Sequence, residues 1–370
     1  MSKSQEANVT APLPHRANAS RALAFGEPAT EGRLGESLLR VGLLGLGLLF
    51  LLVACTDREP RQLSESKGQP AELLVVVPSG MQHGELADTL REIIDCDAPG
   101  LGSSERIFRS MTIGERGYQK IYRVMHSQLR VELDPSLKEP TLGVAHDVHA
   151  RPQLQLLVRG ASQQQLCRFL SQNRERIQRI ILDFQLDRYA GILRHKSSQK
   201  VTDDLKKLGY DVRMPVDMVA TKSGRDFLWG SSNRGGDKDI HFVFYTYPWQ
   251  GEDVADTALF VQKRDSVLKV NIPGSQPGQW MTTARDDYGR PVLWPVLRRR
   301  DGRLIYEVRG LWEMHGGFMG GPLVANVQVD TAARRVVVAE GFVFSPNSAK
   351  RDLLRSVEAG LRTLKKISAK

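Results

Sequence analysis

The chain has 370 residues, 41% of them hydrophobic and 25% charged, with 52 Lys plus Arg against 42 Asp plus Glu and a formal charge of +10. These are the proportions of ordinary globular proteins, which excludes a disordered, fibrous or multi-span membrane chain and leaves room for one or two domains. Three cysteines exclude a disulfide-stapled miniprotein and a four-cysteine zinc site, and the positive excess suits anionic lipid, polysaccharide or nucleic acid without choosing among them.

Residues 1–32 are rich in Ala, Pro, Ser and Gly, carry no apolar period and read as disordered. Signal peptides begin within a few residues of their charged region, so this leader is either native or an upstream extension of the start. From Val41 to Ala54 runs an uncharged apolar stretch, preceded by Arg33 and Arg40 and ending at Cys55. A bilayer span needs about 20 apolar residues, so the stretch is too short to cross and suits a signal-peptide core. Its end, Leu52-Val53-Ala54-Cys55, resembles the bacterial lipobox. The resemblance implies that Cys55 becomes the lipidated first residue of a mature, membrane-anchored protein; the alternatives are an uncleaved signal anchor and a short buried segment. Thr56 after Cys55 points to the outer rather than the inner membrane. Residues 55–72 are polar and fit a flexible tether.

In the mature chain Leu73–Val77 predicts a buried strand, closed by Pro78-Ser79-Gly80. Leu86, Leu90, Ile93 and Ile94 fall on one helical face. Ile107–Thr112, Leu129–Leu133 and Leu154–Val158 read as strands. A long helix follows, N-capped by Ser162 and running through Leu166, Leu170, Ile177, Ile181 and Phe184 toward Leu193. Beyond Lys200 comes a short helix ended by Gly209, then strands at Asp211–Met214, Asp226–Trp229 and Ile240–Tyr247, and a helix over Thr257–Lys269. Strict alternation marks Leu304–Met314 and Leu323–Val329, and Arg334–Phe344 completes a β-meander. Leu353, Leu354, Val357, Leu361 and Leu364 lay a terminal amphipathic helix over it. Strands grouped together with helices at the ends predict an α+β fold. The organisation is residues 1–54 as leader plus lipoprotein signal peptide, 55–72 as tether, 73–198 as a first α+β unit, and 199–370 as a second, an antiparallel meander packed by helices.

Several stretches together resemble a known family: Leu73–Val77, Asp134-Pro135, Lys138-Glu139-Pro140, Ala150-Arg151-Pro152-Gln153, Lys263–Leu268, Met281-Thr282-Thr283, Arg309–Trp312, Phe318–Pro322 and Glu340–Val343. They are similar to the lipoprotein family catalogued as domain of unknown function 4837, found mainly in Bacteroidetes. The resemblance runs over residues 55–367 and implies a cell-envelope lipoprotein; it carries no activity with it.

Candidate sites are few. Arg309–Pro322 concentrates glycines with Trp312, His315 and Phe318, as a ligand-accepting loop or as a hairpin whose glycines serve geometry and whose Trp312 belongs to the core. His315-Gly316-Gly317 superficially resembles an esterase oxyanion loop, but no G-x-S-x-G elbow accompanies it. Glu340 falls on a buried parity and needs a partner, an arginine of the meander being expected and Arg309 one option; a catalytic acid is the sharper alternative. His146 and His149 lack an evident third metal ligand. Cys96 and Cys167 are either bridged or free, the second as a small buried thiol. Arg298-Arg299-Arg300 with Lys350, Arg351, Arg355, Arg362, Lys365 and Lys366 is a headgroup- or glycan-binding patch or simply a solvated face. The expectation is a lipid-anchored envelope protein without metal, cofactor or nucleic-acid partner, binding an envelope protein or glycan. The alternative is an envelope enzyme built around Arg309–Pro322 and Glu340.

Overall fold

The run Leu73–Val77 is apolar at every position, and a strand apolar on both faces must be covered on both. In the computed structural model, which describes residues 62–232 and 238–367, these five residues are all buried on an inner strand of a sheet. The leader, the apolar run and Cys55 lie outside the described residues. From Leu63 on, the described residues group as one compact unit.

The elements of the first layer are β1 (Ser64–Glu65), β2 (Glu72–Val77), α1 (Glu85–Ile94), β3 (Arg109–Gly114), α2 (Lys120–Arg123), β4 (Ser127–Leu133), β5 (Thr141–His146), β6 (Ala150–Arg151), β7 (Leu154–Gly160), α3 (Gln163–Gln172) and α4 (Arg174–His195). The sheet order is β3-β2-β4-β7-β5, parallel throughout except for β5 against β7. Leu73, Val75 and Val77 face α1, α3 and the first half of α4, while Leu74 and Val76 face a smaller cluster with Tyr118 and Met125. The predicted single long helix is two: Ser162 caps α3 as expected, accepting from Gln165 N at 3.3 Å, but the helix breaks at Asn173, whose side chain bonds back to Phe169 O. The tether expected over residues 55–72 is docked from Ser64 onward. There β1 pairs with β6, and Lys67 N donates to Val124 O at 2.8 Å while its carbonyl accepts from His126 N.

The second layer comprises α5 (Gln199–Lys206), β8 (Tyr210–Asp211), β9 (Ala220–Ser223), β10 (Phe227–Ser231), β11 (Asp239–Pro248), α6 (Thr257–Asn271), β12 (Trp280–Thr283), β13 (Leu293–Arg300), β14 (Arg303–His315), β15 (Gly320–Asp330), β16 (Arg335–Phe344), α7 (Arg351–Leu361) and β17 (Lys365–Lys366). Its eight-stranded antiparallel sheet runs β12-β14-β15-β16-β11-β10-β9, with β13 also on β14, so the meander predicted from alternation is its centre. One face buries Phe242, Val337 and Ala339 under α5 and α7; the other buries Val243, Ala325, Val338 and Phe342 under α6. Burial on both faces departs from the one-sided strand that Leu304–Met314 predicts, because α7 and Gly100 of the first layer cover Arg309, and Glu307 is paired with Arg298 and Arg300 of β13. The close approach of α7 requires Gly341: a Cβ there would stand 2.4 Å from Val357 Cγ1. The fold is mixed α+β, with a parallel sheet in its first layer.

Arginines of α7 join the layers. Arg351 Nη1 and Arg355 Nη2 donate to the Arg106 and Ile107 carbonyls, and Glu105 accepts from Lys350 N and Arg351 N at the start of the helix. Arg362 pairs with Asp183 and Asp187 of α4.

Candidate functional site

A wholly buried carboxylate is tolerated only with a partner. Glu340 shares the parity of Val338 and Phe342, has no exposed surface, and is met by Arg264 of α6, also at 0%. The pairing is bidentate, Nε to Oε2 at 2.8 Å and Nη2 to Oε1 at 2.7 Å. Arg264 Nη1 also donates to Thr283 Oγ1 at 3.0 Å, and Asp265 Oδ1 accepts from Thr283 N and Oγ1 at 2.8 and 2.7 Å. The expected meander arginine is therefore replaced by one from a helix. Arg309 points to the opposite face, pairing with Glu358 of α7 and, at 4.0 Å, with Glu307. Burial alone would raise the Glu358 carboxyl, but the guanidiniums of Arg309, Arg362 and Arg355 hold it below the ordinary range. Beside the Glu340 pair, the Tyr245 phenol is pushed well above its usual value by burial and then by the Glu340 charge, and its hydroxyl has no hydrogen-bond partner among the described residues.

The glycine-rich segment is a hairpin. Residues 309–315 belong to β14 and 320–322 to β15, so only residues 316–319 turn, with Gly316 at φ +70°. Trp312 is core, 2% exposed, its Nε1 donating to Val343 O at 3.2 Å. His315 stacks on Trp280 at 4.0 Å, with Lys269 Nζ 4.1 Å from the same ring, and Phe318 is fully exposed at the tip. The five candidate residues thus divide: Trp312 and Glu340 on one face, Arg309 on the other, His315 and Phe318 at the end.

Trp312 does line a cavity, of about 250 Å³, at the end of the α6 face. Trp229 and His241 come from β10 and β11, Phe342 and Phe344 from β16, Met281, Met314 and Met319 from around the hairpin, and Ile272 and Pro273 from the exit of α6. The His241 ring stacks on Phe342 at 4.4 Å and 11°, and Trp312 meets Phe342 nearly edge-on at 5.3 Å. Trp229 Nε1 lies 3.3 Å from His241 Nδ1, which must accept, so the imidazole proton sits on Nε2. Burial drives the His241 pKa down to about 4, keeping the ring neutral. Ser231, Asp239 and Ser275 supply polar groups at the wall, Asp239 accepting from Ser232 Oγ at 2.9 Å. Apolar and aromatic walls with a few polar groups on one side are the composition of a binding pocket. Neither Trp229 nor His241 stands out in the sequence, since each sits in an ordinary β-prone run. Arg264 had a signal: it falls between Phe260 and Leu268 at spacings of four, on the buried stripe of its helix.

The basic patch divides: Arg299, Lys365 and Lys366 are exposed, whereas the other arginines are partly or wholly covered. Arg351 and Arg355 are each 8% exposed and bond to carbonyls of the first layer, and Arg298 and Arg300 pair with Glu307 at 3.3 and 3.5 Å. Lys366 pairs with Asp330 at 2.6 Å and Lys365 with Asp211 at 3.5 Å. The His146 ring lies 6.1 Å from Phe184 and the His149 ring 6.5 Å from Tyr118. Among the described residues no three His, Cys, Asp or Glu side chains are grouped to hold a metal ion. Cys96 and Cys167 are free thiols; Gln178 Nε2 donates to Cys96 Sγ at 3.2 Å, and Cys167 is buried in the first core. No described helix is long and apolar enough to cross a membrane.

Residues 66–194 match the family model described as Domain of unknown function (DUF8532). Residues 197–363 match the family model described as Domain of unknown function (DUF4837). The resemblance expected over residues 55–367 is thus supported for the second layer; the motifs before residue 195 lie within the other match. No curated protein matches the chain.

Proposed function

We propose that the protein is a lipid-anchored, non-catalytic binding component of the bacterial cell envelope, held to the membrane through Cys55 and engaging an envelope protein or glycan. Support for the non-catalytic part is the state of Glu340: the carboxylate most suited to acid chemistry is sealed at 0% exposure in a bidentate pair with Arg264. What stays open on that face is the pocket of Trp229, His241, Trp312, Phe342 and Phe344, suited to a ring or apolar group of a partner. Support for the anchor is the Leu52–Cys55 sequence after its apolar run.

The test is intact and peptide mass spectrometry of membrane-extracted native protein beside a Cys55→Ala variant. The expected result is a mature N-terminus at Cys55 carrying acyl mass, absent from the variant. An unmodified protein that retains residues before Cys55 overturns the anchor and with it the envelope assignment.

A further inference from the structure

A guanidinium taken out of water without a carboxylate is costly, and proteins normally avoid it. Arg355 of α7 is such a group. It is 8% exposed, it has no carboxylate within salt-bridge reach among the described residues, and its bonds are to the neutral Ile107 carbonyl at 2.6 Å and to Gln185 Oε1 at 3.5 Å. The acids that act on it from a distance are Glu358 and Asp352, offset by Arg351 and Arg309, and burial leaves its pKa lowered to about 10. Glu358 is itself taken by Arg309.

Arg355 lines a cavity of about 220 Å³ between the start of the first sheet, α4 and α7. A second guanidinium, Arg188 of α4, lines the same cavity, and its Nε is buried without a hydrogen-bond partner. Among the described residues the acid that acts on it is Glu65. His126, also in the wall, adds no negative charge: Nε2 faces Gln69 O at 3.0 Å and so carries the proton, and burial lowers its pKa. The rest of the lining includes Pro70, Leu186, Tyr189 and Ile192, the last 45% exposed at the surface.

We propose that this cavity is a binding site for a small organic carboxylate, its anionic end between Arg355 and Arg188 and its apolar body against Leu186, Tyr189 and Ile192. A carboxylate supplies what the cavity lacks, an acceptor for the idle Arg188 Nε and a counter-charge for Arg355. The volume is below the roughly 300–1,000 Å³ of sites for drug-sized ligands, so the occupant is small. The apolar walls favour a monoanion with a hydrocarbon or aromatic body over inorganic phosphate, which would need polar groups around all its oxygens. The site is separate from the aromatic pocket of the second layer and independent of the anchor.

The experiment titrates detergent-extracted full-length protein with acetate, benzoate and octanoate, and with benzamide and inorganic phosphate as controls, by calorimetry and thermal melting. Arg188→Gln removes an Nε that has no bond to lose, and Ile192→Glu places a charge at an exposed position of the rim, so both variants are expected to melt like the parent without ligand. The expected result is that benzoate or octanoate binds and raises the melting temperature, benzamide does not, and each variant weakens binding at least about tenfold, the 1.4 kcal/mol of one charge-assisted contact. Three results overturn the proposal: no carboxylate binding by about 10 mM, which is weaker than 3 kcal/mol; equal binding of benzamide; or unchanged affinity in both variants. Tighter binding of phosphate than of any carboxylate overturns the assigned ligand class.

Discussion

Cutting the Arg264–Glu340 pair from one side and then from both separates the cost of an unpaired charge from the worth of the pair. Arg264→Met strips Glu340 of both its donors and leaves a carboxylate with no exposed surface and no other hydrogen bond. Breaking a buried pair from one side costs about 3–5 kcal/mol, and this variant belongs at the upper end. Glu340→Leu leaves Arg264 with Thr283 and with Asp265 at 3.4 Å, a partly exposed acid, so its cost falls near 3 kcal/mol at the lower end of that range. In the double variant no charge is left stranded, because Asp265 keeps its donors Thr283 N, Thr283 Oγ1 and Thr282 Oγ1. It should sit within about 1 kcal/mol of the parent or above it, as hydrophobic replacement of buried pairs often does. Thermal denaturation followed by circular dichroism reads this as losses on the order of 10 °C for the single variants and little for the double. Single variants that each cost under about 1 kcal/mol, or a double variant whose loss is the sum of the two, would refute the reasoning.

Two further predictions concern neighbouring groups. Tyr245→Phe removes a buried hydroxyl that has no partner, and should be neutral or stabilise by up to about 1 kcal/mol in urea titration; a loss of similar size would mean that the hydroxyl is hydrogen-bonded in solution. His241 is held neutral with a pKa lowered from 6.5 to about 4. A folded-state pKa below the unfolded one means that its stabilising contribution is complete above pH 6.5 and is lost as pH falls toward 4. His126 and His149 are shifted in the same direction, so the parent should lose stability across that interval by more than His241→Phe does. Parallel curves for the two proteins from pH 7.5 to 4.5 would contradict this.

The second sheet was largely legible because its central strands alternate over many residues, as Tyr306, Val308 and Trp312 do on the α6 face. The parallel pairing of the first sheet was not: periodicity reports which face is buried and is silent on strand direction. Strand β5 escaped notice because Thr141–His146 is mostly exposed and has no buried parity to reveal it. Residues 163–195 keep an apolar period through the break at Asn173, so two helices read as one. Buried arginines were misread for a related reason. Arg355 lies on the polar side of its helix by local pattern, and the surface that covers it comes from residue 107, 248 positions earlier. The candidate site suffered most. Glu340 falls on the face its parity predicts, but its partner comes from another element, and the aromatic pocket draws on six stretches of chain that meet only after folding.

The joining role of α7 has a consequence in time. This helix follows every strand of both sheets, so each layer has been synthesised before the segment that fastens them emerges. Chains begin to fold from the N-terminal side, and the first layer can settle while residues beyond 200 are still being made. The second sheet meanwhile waits with Phe242, Val337, Ala339 and Val343 only partly covered, by Val201 and Leu205 of α5, until Leu354 and Val357 arrive. Surface of that kind is what draws incomplete chains to one another, so the interval before α7 docks is when this protein is most exposed to misassembly, and most in need of an escort.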